Sequence, residues 1–491
     1  MNPTLVLLIF VGYVLLLLGI AHLTSTKGQT ANGNAQFFIA EKAAPWYAVA
    51  FGMIGASLSG VTFISVPGWV ESSGFTYMQM VLGYLVGYGF IMLVLLPLYY
   101  RMGLTSIYGY FGSRFGKNAY LTGAGFFILS RTIGAAFRLF LVGLVLKLFV
   151  LEPLGWNTGI GYALTIFVII SVIWAYTRQG GLGTIVWTDT LQTATMLIAV
   201  AASAYVISTE LGWTGNETIQ NIRRSPMSDW FIWTDWKASH HFIKDFLAGA
   251  FIAATMTGMD QDMMQKNLAC RNLRDARWNM GTLAITLVFI NLLFLSLGVL
   301  LYTWTQKQGI EVAQSDSLFP TVALGGTLGF GIALMFLIGL LASAFSSADS
   351  AMTALTTSIC IDVLKVEERQ EKESVSLRKK VHVGVALALF GVILIFSEVN
   401  DTSVVKAIFT AANYTYGPIL GLFCFGLLTK KTPIDRAIPV VGILSPLACY
   451  GLESALVHCF DFSFGFALLP VNGIITFIGL LLISRKNAIN F

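Results

Sequence analysis

Residues 343–355 read SAFSSADSAMTAL, with Ser343, Ser346, Ser347 and Ser350 at i, i+3, i+4 and i+7 around Asp349. On a helix that spacing puts four hydroxyls on one stripe. Hydroxyl oxygens in a row, joined by carboxylates and backbone carbonyls, form the hard-oxygen surroundings that suit a small cation such as Na+. The competing reading is a packing seam, each hydroxyl bonding back to the carbonyl one turn earlier. A second acid, Asp189 in GGLGTIVWTDTLQTATM, offers another carboxylate, or a salt bridge to Arg131 or Arg138. Inside a membrane each such acid costs ~2.5–3.5 kcal/mol on insertion scales, so each needs a partner or a task.

The elements that carry these residues must be membrane spans. The chain has 491 residues, 56% hydrophobic and 11% charged, with a mean hydropathy of +0.75. Apolar runs long enough to cross a ~30 Å slab at ~1.5 Å per residue recur along it. About thirteen are expected, near 3–23, 46–67, 77–100, 120–151, 158–176, 184–208, 243–264, 279–305, 326–360, 381–399, 403–428, 437–457 and 464–484. The first has no basic segment before it and no cleavage pattern after it, so it reads as a retained helix. An all-α, polytopic membrane protein follows, a single transmembrane domain over 1–491 with no soluble domain.

With the N-terminus outside, the inner segments hold 21 of the 30 Lys and Arg, Lys266 among them, and the positive-inside rule selects N-out and C-in. The net charge of +5 then faces anionic lipid and calls for no nucleic-acid partner. The run KVEERQEKESVSLRKK (365–380) reads as a solvated inner loop. Five cysteines without a C-x-x-C pair and five scattered histidines give no metal-enzyme ligand set, so an enzyme is not expected.

Two spans are interrupted by Gly, Ser and Thr: FGMIGASLSGVTFISVPGWVESSG (51–74) and FLAGAFIAATMTGMDQDMMQKN (246–267). Such residues weaken a helix, and an unwound stretch is tolerated where its freed groups line a cavity. The breaks fall five spans apart, which fits two five-helix units, spans 2–6 and 7–11, with substrate and ion sites at the midplane beside them. The competing reading is that the small residues serve only close helix packing.

At these residues the chain resembles the sodium:solute symporters, and in motif the sialic acid type. The likeness rests on GASLSGVTF (55–63), WTD (187–189), MDQDMMQKNL (259–268), the serine stripe, and YTYGPILGLFCFGLLTKK (414–431), in order along nearly the whole chain. It implies a LeuT-like fold: an extra N-terminal helix (3–23), a first repeat beginning at 46 and leading by 264 into the second (243–428), and two C-terminal helices (437–484). It implies a main Na+ site from the carbonyls of Gly55 and Leu58 with Ser343, Ser346 and Ser347. A second site would use Asp189, Ser346, Asp349 and Ser350. Asp349 stands where that pattern has a serine, and could tighten a cation site or hold a proton.

For the solute, the resemblance matches Ser59 and Thr62 to positions that hold a substrate carboxylate, with Arg131 as its guanidinium partner or Arg138 in its place. Asp260 and Asp262 match substrate or inner-gate positions, and Gln79, Asn413 and Tyr416 are further expected liners. A Na+ ion entering down ~100 mV gains ~2.3 kcal/mol and a tenfold gradient adds ~1.4. A monoanionic solute cancels the electrical part for one ion, so an acid and a second Na+ support each other. The expected activity is Na+-coupled uptake, by alternating access at the plasma membrane, of a small polar solute such as a carboxylated sugar like sialic acid. The alternative is a neutral sugar or polyol, such as glucose or inositol, with a structural Arg131.

Overall fold

Ser57, Ser59 and Gly60 interrupt an apolar run, and the helix breaks there. In the computed structural model α2 (Trp46–Leu58) and α3 (Gly60–Ser73) meet at Ser59 with a 53° bend. The second expected break is also present: α7 (Phe242–Met256) and α8 (Gln261–Leu268) are bent by 63° around residues 257–260. The structure describes residues 3–25, 37–38, 44–156, 159–234, 236, 240–312, 314–326, 328–399 and 404–485.

The other long helices are α1 (Pro3–Ser25), α4 (Tyr77–Phe90), α5 (Lys117–Leu146), α6 (Gly159–Glu210), α9 (Leu273–Gln308), α10 (Gly329–Ser358) and α11 (Glu371–Val399). They are followed by α12 (Val404–Thr415), α13 (Gly417–Leu428), α14 (Ile438–Phe460) and α15 (Leu468–Leu482). Among the described residues nine helices are long and apolar enough to cross a bilayer, or up to twelve if each bent pair is one span. A shorter apolar stretch, Thr4–Gly19, lies in α1.

Three features differ from expectation. A third bend, of 41°, separates α12 from α13 at Tyr416. Its cause is Pro418, which has no N–H to continue the ladder and disfavours helix in the residue before it. The connection expected between the fifth and sixth spans is helical, so α6 runs unbroken through two stretches of spanning character, Gly159–Arg178 and Ile185–Glu210. The charged run is only half a loop, because α11 begins at Glu371 and takes Arg378 into the interior. There the Arg378 guanidinium lies 4.3 Å from the centroid of Phe37, and its alkyl stem and planar head suit an aromatic face.

Helix α10 is the central strut. It packs most extensively on α6, and also on α5, α2 and α3, and every residue from Leu340 to Ser358 is buried. A helix buried on all sides can carry polar groups only where they find partners, which directs attention to its serines. The two broken spans' neighbours come close as well: a Cβ on Gly249 of α7 would lie 2.0 Å from Met80 O of α4, so only glycine permits that crossing. On another face Asp435 reaches the start of α5, accepting hydrogen bonds from the Asn118 and Ala119 N–H groups at 3.1 and 2.9 Å. An acid at a helix N-terminus satisfies orphan donors and the dipole together.

Candidate functional site

The row of serines faces the first break. A Cβ on Gly55 would stand 2.1 Å from Thr193 Oγ1 and 3.3 Å from Ser346 Oγ, and one on Gly60 would be 3.7 Å from Ser343 Oγ. Thr193 fixes α2 against α6: its hydroxyl is 2.7 Å from Asp189 O and 2.9 Å from Phe51 O. Leu58 ends α2, so its carbonyl belongs to the last turn, whose oxygens lack intrahelical donors.

The stripe divides into two pairs. Ser343 Oγ donates to Leu340 O (2.9 Å) and Ser347 Oγ to Ser343 O (3.2 Å), which uses each hydroxyl hydrogen and leaves the oxygen's lone pairs as acceptors. Ser346 and Ser350 instead point at Asp189, donating to Oδ1 at 2.6 Å and Oδ2 at 3.4 Å. Asp349 receives Tyr176 OH at 2.9 Å and the Ser350 N–H at 2.6 Å. The four serines and both acids are buried.

Asp189 has a cationic partner that is neither arginine: Lys266 Nζ lies 2.6 Å from its Oδ2, with both residues essentially unexposed. The inner-loop placement expected of Lys266 is therefore corrected. The bend after Met256 turns α8 inward, so Lys266, near the C-terminal end of that helix, enters the protein interior.

Beside the first break is a cavity of about 130 Å³. Leu58, Ser59, Thr62, Arg131 and Arg138 border it, among a mostly apolar and aromatic wall that includes Tyr84 and Phe409. The two arginines differ. Arg131 is in ion contact with Asp262 and has Nη1 4.0 Å from Asp260 Oδ2. Arg138 is 9% exposed, and although Arg131 Nε is also buried without a hydrogen-bond partner among the described residues, as are Arg138 Nε and Nη1, Arg138 has in addition no acid in salt-bridge contact there. A buried donor left unpaired costs ~1–3 kcal/mol, more when charged, so such a group marks a place where something else docks.

The remaining expected liners are not on the cavity wall. Gln79 is held by the outer segment: it donates to His240 O (2.9 Å) and Asp245 Oδ2 (3.2 Å) and accepts from the Ile232 N–H (3.1 Å). Asn413 donates to Gly465 O at 3.4 Å. Asp260 caps α8 by accepting from the Met263 N–H and takes Tyr416 OH at 2.5 Å, so Tyr416 is a tie between two breaks. Tyr99 and Tyr108 donate to Gly258 O and Met259 O, two backbone acceptors beside the second break. The inward placement of Lys266, the part played by Tyr176 and the role of Tyr416 are not legible in the sequence. The one available signal was the i, i+4 spacing of Asp262 and Lys266, which sets both on one face of α8.

Three comparisons bear on this geometry. The family model described as "Sodium:solute symporter family" matches residues 37–438. Among curated proteins, the sodium-dependent multivitamin transporter of Oryctolagus cuniculus is 25% identical over 444 residues, covering 88% of this chain and 67% of that protein. The sodium/sialic acid symporter NanT of Aliivibrio fischeri is 23% identical over 433 residues, covering 84% and 81%. Among solved structures, a substrate-bound, outward-open Na+-coupled sialic acid symporter superposes with a TM-score of 0.80 at 18% identity, covering 98% of this chain and 99% of that one. The transporter Mhp1 in a closed conformation gives 0.55 at 12% identity, covering 93% and 96%. The fold is LeuT-like, as these matches show. The chain belongs to the sodium:solute symporter family, whose members couple solute movement to Na+.

Proposed function

We propose that this symporter takes up a small organic acid, with a carboxylated sugar such as sialic acid the leading candidate. The observation that carries the reading is Arg138, a buried guanidinium with unpaired N–H groups at a cavity that also presents the Ser59 and Thr62 hydroxyls. A carboxylate would take two parallel N–H bonds from the arginine and one from each hydroxyl. The NanT relative and the structural neighbour, named for sialic acid, support the same choice. Na+ would lie between the Gly55 and Leu58 carbonyls and Ser343 and Ser347, next to the cavity, so that ion and solute stabilise one closed state. The chain is read as one domain, N-out and C-in in the plasma membrane, with lipid around two five-helix units.

A neutral sugar or polyol is the second reading. It is favoured by the cancellation of charge between Arg131 and Arg138 on one side and Asp260 and Asp262 on the other. Proteoliposomes loaded with K+ and diluted into Na+ decide between them. Labelled sialic acid should accumulate and be displaced by carboxylates but not by neutral sugars; displacement by inositol or glucose alone would favour the second reading.

A further inference from the structure

We propose that Lys266 is a tethered replacement for a second sodium ion, so that this chain binds one Na+ rather than two. The inference rests on the sodium reading above and deepens it by fixing the number of ions. Its basis is the occupancy of one ligand set. The second set expected to hold Na+ is organised on Asp189: Ser346 Oγ donates to Oδ1 and Ser350 Oγ to Oδ2, and Lys266 Nζ, 2.6 Å from Oδ2, already supplies this carboxylate with a cation. The ammonium carries the same charge as Na+ and, unlike the ion, cannot diffuse away.

The fold carries this contact into the interior. The 63° bend turns α8 inward, and all eight residues of Gln261–Leu268 are buried. Lys266 lies in the last turn, where a positive charge complements the helix dipole. Gly52 of α2 lies over Asp189, and a Cβ there would be 3.1 Å from Asp189 Cβ, so the pair is packed on that side as well. A second monovalent cation would have to share Asp189 with the ammonium in a water-excluded space, where like charges repel strongly.

Two other observations agree. The acid that departs from the family's serine, Asp349, directs its oxygens to Tyr176 OH and the Ser350 N–H rather than to the Ser346 or Ser350 hydroxyls. By contrast, no side-chain cation is placed at Ser343 and Ser347, whose hydroxyls bond only to carbonyls of their own helix among the contacts described. Asp189 is thus paired with a cation of the chain itself, whereas no such cation is described at the buried pair Ser343 and Ser347. With one Na+ and one monoanionic substrate the loaded carrier gains no net charge, so uptake is insensitive to membrane potential and, in place of the second ion expected beside an acid, the sodium gradient alone drives it, ~1.4 kcal/mol per tenfold.

Equilibrium binding of radiolabelled sodium to the purified full-length protein in nanodiscs tests this without any solute. The wild type should saturate at one ion per chain, Lys266→Gln at two, and the double variant Lys266→Gln/Asp189→Asn at one again. Lys266→Arg, which keeps the charge if the glutamine variant does not fold, should hold the count at one. Two ions on the wild type, or a count that stays at one in a folded Lys266→Gln, would overturn the inference. Absence of bound sodium from every form would instead overturn the sodium reading beneath it, and the inference with it.

Discussion

Tyr416 donates its hydroxyl hydrogen to Asp260 Oδ2 at 2.5 Å, and this bond joins the bend between α12 and α13 to the bend between α7 and α8. Both residues sit at points where the helical ladder is interrupted, so the bond links two hinges rather than two rigid rods. Asp260 also caps α8 and lies near Arg131, so one carboxylate connects both bends to an arginine of the cavity.

Tyr416→Phe keeps the ring and removes the tie. A buried hydrogen bond to a charged group contributes ~1.5–3 kcal/mol, so a lower melting temperature is expected, with several-fold slower transport. Tryptophan-fluorescence melting and initial uptake rates on the same preparation check this; an unchanged melting curve would show that the bond carries no load.

The two arginines should fail in different ways. Arg131→Gln leaves Asp260 and Asp262 without their cation, and breaking a buried pair costs about 3–5 kcal/mol, so the yield of folded protein should fall. Arg138→Gln removes a charge with no acid in salt-bridge contact among the described residues, so the fold should persist while uptake of a carboxylate falls at least about tenfold, the loss of one charge-assisted contact. Monodispersity on size exclusion and uptake of labelled acid separate the two. The same loss of fold in both variants would contradict the division of roles.

Helix proximity makes a prediction free of ligands. Gly249→Val would drive a side chain into Met80 O, and the crossing of α4 with α7 cannot widen without moving the second broken span. Little folded protein should be recovered. Gly89→Ala on α4, where an added methyl meets nothing within 4 Å, is the control and should be neutral. Equal recovery of the two variants by size exclusion would count against the close crossing.

How much was legible in advance follows from what spacing can encode. The serine stripe and the two Gly/Ser/Thr interruptions are local patterns, and both were found where the sequence put them. The partner of Asp189 was not legible, because a lysine just past an apolar run reads as a loop residue and only the bend of α8 brings Lys266 inside. Nor could periodicity choose between Arg131 and Arg138, which lie two turns apart on one face of α5; the choice depends on Asp262, from another helix. The bend at Tyr416 is signalled by Gly417 and Pro418, but the segments on either side together are long enough to read as one span.

The stripe's division supplies a graded test of the ion site. Ser343→Ala and Ser347→Ala each remove a hydroxyl oxygen from the proposed Na+ position, and each should raise the sodium concentration for half-maximal uptake about tenfold. Ser346→Ala removes a hydrogen bond to Asp189 and no ligand of that position, so it should lower stability by ~1 kcal/mol or more while shifting the sodium requirement less than the other two.

The most direct measurement is solute accumulation in proteoliposomes under an inward sodium gradient, compared with an inward proton gradient in sodium-free buffer, for the wild type and Ser347→Ala. Sodium-driven accumulation that vanishes when K+ replaces Na+, and that needs more sodium in the serine variant, is the predicted result. Accumulation driven by protons alone, with the same sodium response in both proteins, would contradict it.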